Sequence, residues 1–263
     1  FKANERILPK GKDADILIKP NFNNDLNALT GNSTDLRIIV GVLKALKKRS
    51  YKNITIADGP NCGVNHIGID VFSRLTIDCI AKKYGVGLKN LNKEGYKKVN
   101  LTTSTARIAK RALDSDFIIN LPKIKTHMEA KMTVSCKNLM GCFLGTEKRR
   151  MHDNLAGNIV RLNEIIKTDL IIVDGLVCME GDGPGDGIPK KLGILLSGHN
   201  TYLMDLLCSK LMGLNHNKIP FLKIASKKGH INNEDIENLK KFQKIAKFLP
   251  AKKSIFGRLL LNN

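Results

Sequence analysis

With 263 residues, 42% of them hydrophobic, the chain is long enough to bury the core of one large α/β domain, with or without a small lobe. No apolar run approaches the roughly eighteen residues of a membrane helix, and six scattered cysteines without a C-x-x-C pair leave no zinc ribbon or ferredoxin-type cluster in this chain. Forty-four Lys and Arg against 24 Asp and Glu, a formal charge of +20, point to an anionic partner, and the absence of Trp weakens nucleic acid without closing it.

In chain order, Asp15-Ile-Leu-Ile-Lys-Pro-Asn-Phe22 predicts a strand that stops at Pro20 with Lys19 and Asn21 at its end. Ser33-Thr-Asp35 supplies N-cap chemistry for a helix over 36–48, whose Ile39, Val42, Leu43 and Leu46 share one face. A strand over 53–58 ends in Asp58-Gly-Pro-Asn, and strand, helix, strand with short links is a βαβ unit. The expected fold is therefore α/β, a mostly parallel sheet with helices on both faces.

A helix is expected over 70–84, short strands over 86–91 and 98–101, and a basic helix over 106–113. Phe117 to Leu121 reads as a buried strand leaving the sheet at Pro122, and the segment over 128–143 has mixed character. Further expectations are a helix over 154–167, strands over 169–174 and 192–197, and a helix over 202–212. Residues 234–249 read as a basic amphipathic helix and 254–263 as a frayed or surface-packed tail, with one α/β domain covering 1–263. The chain begins at Phe1 with no signal-peptide pattern, which leaves room for residues before it, and its thiols suit a reducing cytoplasm.

Parallel strands would gather Lys19, Asn21, Asp58, Lys123, Lys125, His127 and Asp174 at one edge of the sheet, where ligands of open α/β sheets bind. Desolvation there lowers lysine pKa values, which suits Lys125 and Lys137 to acid/base or Schiff-base roles. His127, among Lys123, Lys125 and Lys131, is expected to be neutral and to act as general base, proton donor or metal ligand. The expected catalytic set is His127, Lys125 and Lys137. Lys19, Asn21, Asp58, Lys123, Asn138, His152, Gly181 and Gly183 are expected to bind an anionic substrate.

The glycine-rich Glu180-Gly-Asp-Gly-Pro-Gly-Asp-Gly187 is neither a Walker loop nor an EF-hand. With Asp174, the carboxylates of Glu180 and Asp182 are candidate ligands for a divalent metal, although a tight turn explains the glycines equally well. Cys136 and Cys142 flank Lys137-Asn138 and read either as activated thiolates or, more commonly for cysteine, as small buried hydrophobes.

Ile18-Lys-Pro-Asn21, Asn120-Leu-Pro-Lys-Ile-Lys-Thr-His127, Lys137-Asn-Leu-Met-Gly141, His152, Asp174-Gly175, Glu180-Gly-Asp-Gly-Pro184 and Leu211-Met-Gly213 follow one another in an order that resembles the domain of unknown function 362 family. The resemblance covers about residues 15 to 230. It implies a family without an established activity, many of whose members carry ferredoxin-like iron–sulfur modules; this chain lacks those cysteine clusters. A fainter similarity links the lysine and histidine layout to lactate racemases, where such residues hold a nickel cofactor. The expectation is an enzyme-like protein that binds a small carboxylate or phosphate, with two alternatives. One is a redox scaffold that uses a cluster on a ferredoxin-like partner, and the other is a basic module for nucleic acid or an anionic surface.

Overall fold

In the computed structural model, which describes residues 7–252, successive residues of the first strand feed two separate cores. Ile16 and Ile18 of β1 (Ile16–Pro20) join one apolar cluster, while Leu17 between them joins the other. The same alternation holds in β2 (Ile54–Asp58), where Ile54 and Ile56 face one side and Ala57 the other. A period of two buried on both faces is what a central strand of a two-sided α/β sheet requires.

Along the chain follow β3 (Gly87–Asn90), the antiparallel pair β4 (Tyr96–Asn100) and β5 (Thr105–Ala109), and then β6 (Phe117–Leu121) and β7 (Lys123–His127). The strands close with β8 (Lys131–Thr133), β9 (Leu170–Glu180) and β10 (Ile188–Gly198). The main sheet runs β3-β2-β1-β6-β9-β7-β8, with β10 antiparallel along the other edge of β9. β3, β2, β1, β6, β9 and β7 are mutually parallel, and β8 and β10 are the antiparallel members.

One face is covered by α1 (Leu36–Lys48) and the short helices α2 (Cys62–His66), α3 (Val71–Arg74) and α4 (Ile77–Tyr84). The other carries α5 (Lys110–Asp114), α6 (Ser135–Asn138), α7 (Leu155–Ile165), α8 (Thr201–Leu211), α9 (Pro220–Lys227) and α10 (Asn233–Leu239). Asp35 caps α1 as its sequence predicts, its Oδ1 accepting the Arg37 N–H at 2.9 Å. Among the described residues, no helix is long and apolar enough to cross a membrane.

Several expectations give way. The helix over 70–84 is broken at Thr76, which sits in the left-handed region at φ 58°. Leu75 and Ile77 are both buried, and a continuous helix would point residues two apart in nearly opposite directions. Residues 105–109 are strand rather than helix, because Ala106 and Ile108 turn inward together when β5 pairs with β4. The amphipathic helix expected over 234–249 ends at Leu239; beyond it the chain runs irregularly, with Phe248 buried. The tail expected over 254–263 lies outside the described residues.

The most consequential departure concerns Pro122. The chain does not leave the sheet there but continues as β7, and the Pro122 carbonyl accepts the Asp174 N–H at 2.8 Å. β6 and β7 thus lie end to end along one edge of β9, which itself runs on past Asp174 to Glu180. Lys123 and Lys125 become strand residues with no exposed surface.

Candidate functional site

The carboxyl ends of the parallel strands meet under α6 and the turn over Leu139–Cys142. Lys19 and Asn120 are register partners on β1 and β6. The Lys19 Nζ pairs with Asp58 Oδ1 at 2.5 Å and also donates to the Pro20 carbonyl at 2.8 Å. Asp58 further accepts the N–H groups of Phe22 at 2.6 Å and Gly59 at 2.8 Å. Asn21 Nδ2 donates to Asn138 Oδ1 at 2.8 Å, and Asn138 Nδ2 to Asn120 Oδ1 at 2.7 Å. Glycine is required at 141 by close approach, since a Cβ there would fall 2.1 Å from Asp58 Oδ1 and 2.8 Å from Lys19 Nζ. Four residues expected to bind substrate, Lys19, Asn21, Asp58 and Asn138, are thus brought together, but largely as one another's partners.

Lys123 is satisfied in the same way. Its Nζ lies 2.8 Å from Asp174 Oδ2, both side chains being fully buried. That carboxylate also accepts the Asp35 N–H at 2.8 Å and the Leu176 N–H at 3.0 Å. A buried ion pair whose spare lone pairs are filled this way holds elements in register.

The next turn of β7 is different. Lys125 Nζ donates to the Asn32 carbonyl at 2.7 Å and has no carboxylate partner among the described residues. Burial pushes its ammonium well below the ordinary lysine value, and the charges of Lys137 and Lys123 act in the same direction. The side-chain amine of Lys137, on α6 and partly exposed, makes no hydrogen bond or ion pair among the described residues. Burial brings its ammonium down to about 8, with Glu129 acting in opposition.

His127 closes the corner, with 7% of its surface exposed. Its Nδ1 accepts the N–H groups of Glu129 and Ala130, both at 3.2 Å. A neutral imidazole has one acceptor nitrogen and one donor, so the proton belongs on Nε2. Burial first, then Lys137, His152 and Lys125, holds the ring well below its ordinary pKa. Of the lysines that the sequence places around His127, Lys125 contributes, Lys123 is paired with Asp174 and Lys131 is exposed; Lys137 is the largest charge acting on the ring. With Nδ1 occupied by two donors, His127 presents an N–H and no lone pair outward. That arrangement suits a hydrogen-bond donor and disfavours a general base or a metal ligand.

His152 sits at the rim, its Nδ1 2.7 Å from Glu129 Oε2. The glycine-rich loop lies along the same end of β7: Thr126 Oγ1 donates to the Gly181 carbonyl at 2.8 Å and the Met128 N–H to the Gly183 carbonyl at 3.2 Å. A Cβ on Gly183 would fall 2.2 Å from the Thr126 carbonyl oxygen. Gly181 and Gly183 therefore build the wall of the corner through their backbones.

The structure does not assemble the expected metal ligands. Asp174 is committed to Lys123, Glu180 to Lys190 at 2.8 Å and the Leu249 N–H at 2.9 Å, and Asp182 to the Lys252 N–H at 2.6 Å. Each carboxylate has its own cation or N–H, and among the described residues no group of three His, Cys, Asp or Glu side chains converges. Cys136 and Cys142 are buried, and burial pushes the first thiol well up and the second to about 12, so neither is an activated thiolate.

Two residues outside the expected site set matter here. Asp205, fully buried on α8, accepts the Ser135 N–H at 2.7 Å and the Cys136 N–H at 3.2 Å, which fixes α6 and with it Lys137 and Asn138. The one acid in a helix of mostly apolar residues was its available signal. Lys148 reaches inward to the Phe143 carbonyl at 2.9 Å and to Asn92 Oδ1, and burial lowers it to about 8. In sequence it is indistinguishable from the exposed Arg149 and Arg150 beside it. Two cavities lie away from this corner. One of about 380 Å³, lined by Asp15, Lys52 and Arg111, is at the opposite ends of the strands, and one of about 120 Å³ lies among α8, α9 and α10.

The family described as Domain of unknown function (DUF362) matches residues 16–210. A thylakoid-associated protein of Synechocystis sp. is 33% identical over 130 residues, which are 47% of this chain and 40% of that relative. Among solved structures, a structural-genomics protein of Thermotoga maritima aligns with a TM-score of 0.45 at 13% identity, covering 78% of this chain and 56% of the other. The lactate racemase apoprotein of Thermoanaerobacterium thermosaccharolyticum aligns with a TM-score of 0.43 at 12% identity, covering 80% and 51%. The chain thus spans less than two thirds of the length of each of these proteins.

Proposed function

This chain belongs to the DUF362 family, and we propose that its corner of Lys125, His127 and Lys137 binds a small carboxylate- or phosphate-bearing molecule and handles a proton there. One observation carries the reading. Five lysines stand at this end of the sheet: Lys19 and Lys123 have buried carboxylate partners, Lys148 ends on the Phe143 carbonyl and Asn92, and Lys125 and Lys137 have no carboxylate. Placing amines out of water without a counter-ion is costly. An anionic ligand supplies the missing charge and restores the amines to their protonated form. The outward N–H of His127 adds a directed donor, and the Gly181–Gly183 backbone closes one side.

The test uses the linkage between anion and proton. Calorimetric titration of inorganic phosphate or acetate into the protein at pH 8, in buffers of different ionisation enthalpy, should show proton uptake on binding. Lys125→Met with Lys137→Met should abolish both the binding and the uptake. Affinity that survives the double substitution and falls steeply with salt would place the anion on the basic exterior instead, and the proposed site would be lost.

A further inference from the structure

We propose that the stretch over 239–252 is a docking surface for an anionic lipid bilayer, which it meets with lysines and apolar side chains together.

The stretch holds five lysines, Lys240, Lys241, Lys244, Lys247 and Lys252, and no Asp or Glu. Beyond Leu239 it is irregular, yet its backbone is tied down. The Ile245 and Ala246 N–H groups donate to the Leu211 carbonyl at 3.1 and 3.2 Å, and the Phe248 N–H to the Met212 carbonyl at 2.9 Å. Leu249 donates its N–H to Glu180 at 2.9 Å, and its carbonyl accepts the Gly181 N–H at 2.8 Å. Held so, the chain sends alternate residues to opposite sides: Ala246 and Phe248 turn inward, while Ile245, Lys247 and Leu249 are exposed.

Phe242, Ile245 and Leu249 are 47%, 48% and 55% exposed. Ile188, 59% exposed, belongs with them, because it is the register partner of Glu180, the residue that holds Leu249. Four of the ten large apolar side chains exposed among the described residues thus fall in this one basic strip. A single exposed leucine is ordinary; a group of them marks an interaction surface.

The local charge has few internal partners. Lys240 pairs with Glu237 at 2.7 Å and Lys241 donates to Asn238 Oδ1 at 2.7 Å, but the side-chain amines of Lys244, Lys247 and Lys252 make no hydrogen bond or ion pair among the described residues. Glu180 and Asp182, the acids beside the strip, are spent on its backbone through the Leu249 and Lys252 N–H groups. Nucleic acid would answer the lysines and leave Ile245 and Leu249 in water, since neither has a ring to stack on a base. A bilayer with acidic headgroups answers both: its phosphates take the ammonium groups and its acyl boundary takes the apolar side chains.

The chain has no Trp, so Phe242→Trp provides a single fluorescent reporter. Vesicles of phosphatidylglycerol and phosphatidylcholine should shift its emission to the blue and carry the protein down on sedimentation, and vesicles of phosphatidylcholine alone should do neither. Replacing Phe242, Ile245 and Leu249 together by Ser should weaken binding to the acidic vesicles at least about tenfold, with circular dichroism and affinity for a duplex DNA oligonucleotide unchanged. Lys244→Gln with Lys247→Gln should cost about fivefold for each lysine removed. Unmoved Trp emission, or vesicle affinity that survives the triple Ser substitution, would overturn the proposal and leave only the general attraction of a +20 chain for anions. Duplex DNA bound more tightly than the acidic vesicles would overturn it in favour of nucleic acid.

Discussion

Two groups of lysines meet at this end of the sheet, and only one is balanced. Lys19 and Lys123 each have a carboxylate, every oxygen of which is further occupied by backbone N–H groups. Lys125 rests on one neutral carbonyl, and Lys137 on nothing among the described residues. The residue type is the same in both groups, so lysine identity does not mark function. What separates them is whether the protein supplies the counter-charge or leaves it to be supplied.

Substitution can break the balanced group. Asp58→Ala leaves the Lys19 ammonium buried without its anion and should cost about 3–5 kcal/mol, read from the urea denaturation midpoint. An unchanged midpoint would show that the pair does not hold β1 to β2. Asp205→Ala frees two N–H groups at the start of α6 and should cost about 1–3 kcal/mol. Burial raises this carboxyl from 3.8 to about 7, so its contribution is full below 3.8 and is lost as pH rises through about 7. Asp205→Asn should flatten that decline in a pH series of melting temperatures.

The unbalanced group responds with the opposite sign. Lys137 falls from 10.5 to about 8, so its contribution is present above 10.5 and is lost as pH falls through about 8. The groups acting on it or acted on by it are Glu129, Lys125 and His127. The stability of the native chain relative to Lys137→Met should therefore rise between pH 8 and 10.5, by on the order of 1 kcal/mol after solvent screening at its open face. A flat difference would show that the amine is already solvated. The smallest change is expected for Lys125→Met: exchanging a buried unpaired amine for a thioether of similar length should alter the denaturation midpoint by less than about 1 kcal/mol or stabilise the fold. A loss comparable to that of Asp58→Ala would mean that Lys125 belongs with the balanced lysines.

The alternation of Ile16, Leu17 and Ile18, and of Ile54 through Ala57, was legible as a strand pattern because burial on both faces selects β-branched and aliphatic residues at every position. The cap at Asp35 was legible because it is local, two residues from its partner. β7 was not: Lys123-Ile-Lys-Thr-His127 has the composition of an exposed loop. It is a buried strand because Asp174, Asn32 and Gly181, remote in sequence, satisfy its polar side chains.

Sequence alone predicted β1, β2, β6 and the start of β9, and that Lys19, Asn21 and Asp58 would follow strand ends, since hydrophobic periodicity and capping act over a few residues. Only the folded arrangement decided which lysines found a carboxylate, which nitrogen of His127 kept its proton, and that Asp174, Glu180 and Asp182 were spent on separate partners. Charge pairing and desolvation depend on distances between residues far apart in the chain, and no local pattern encodes them.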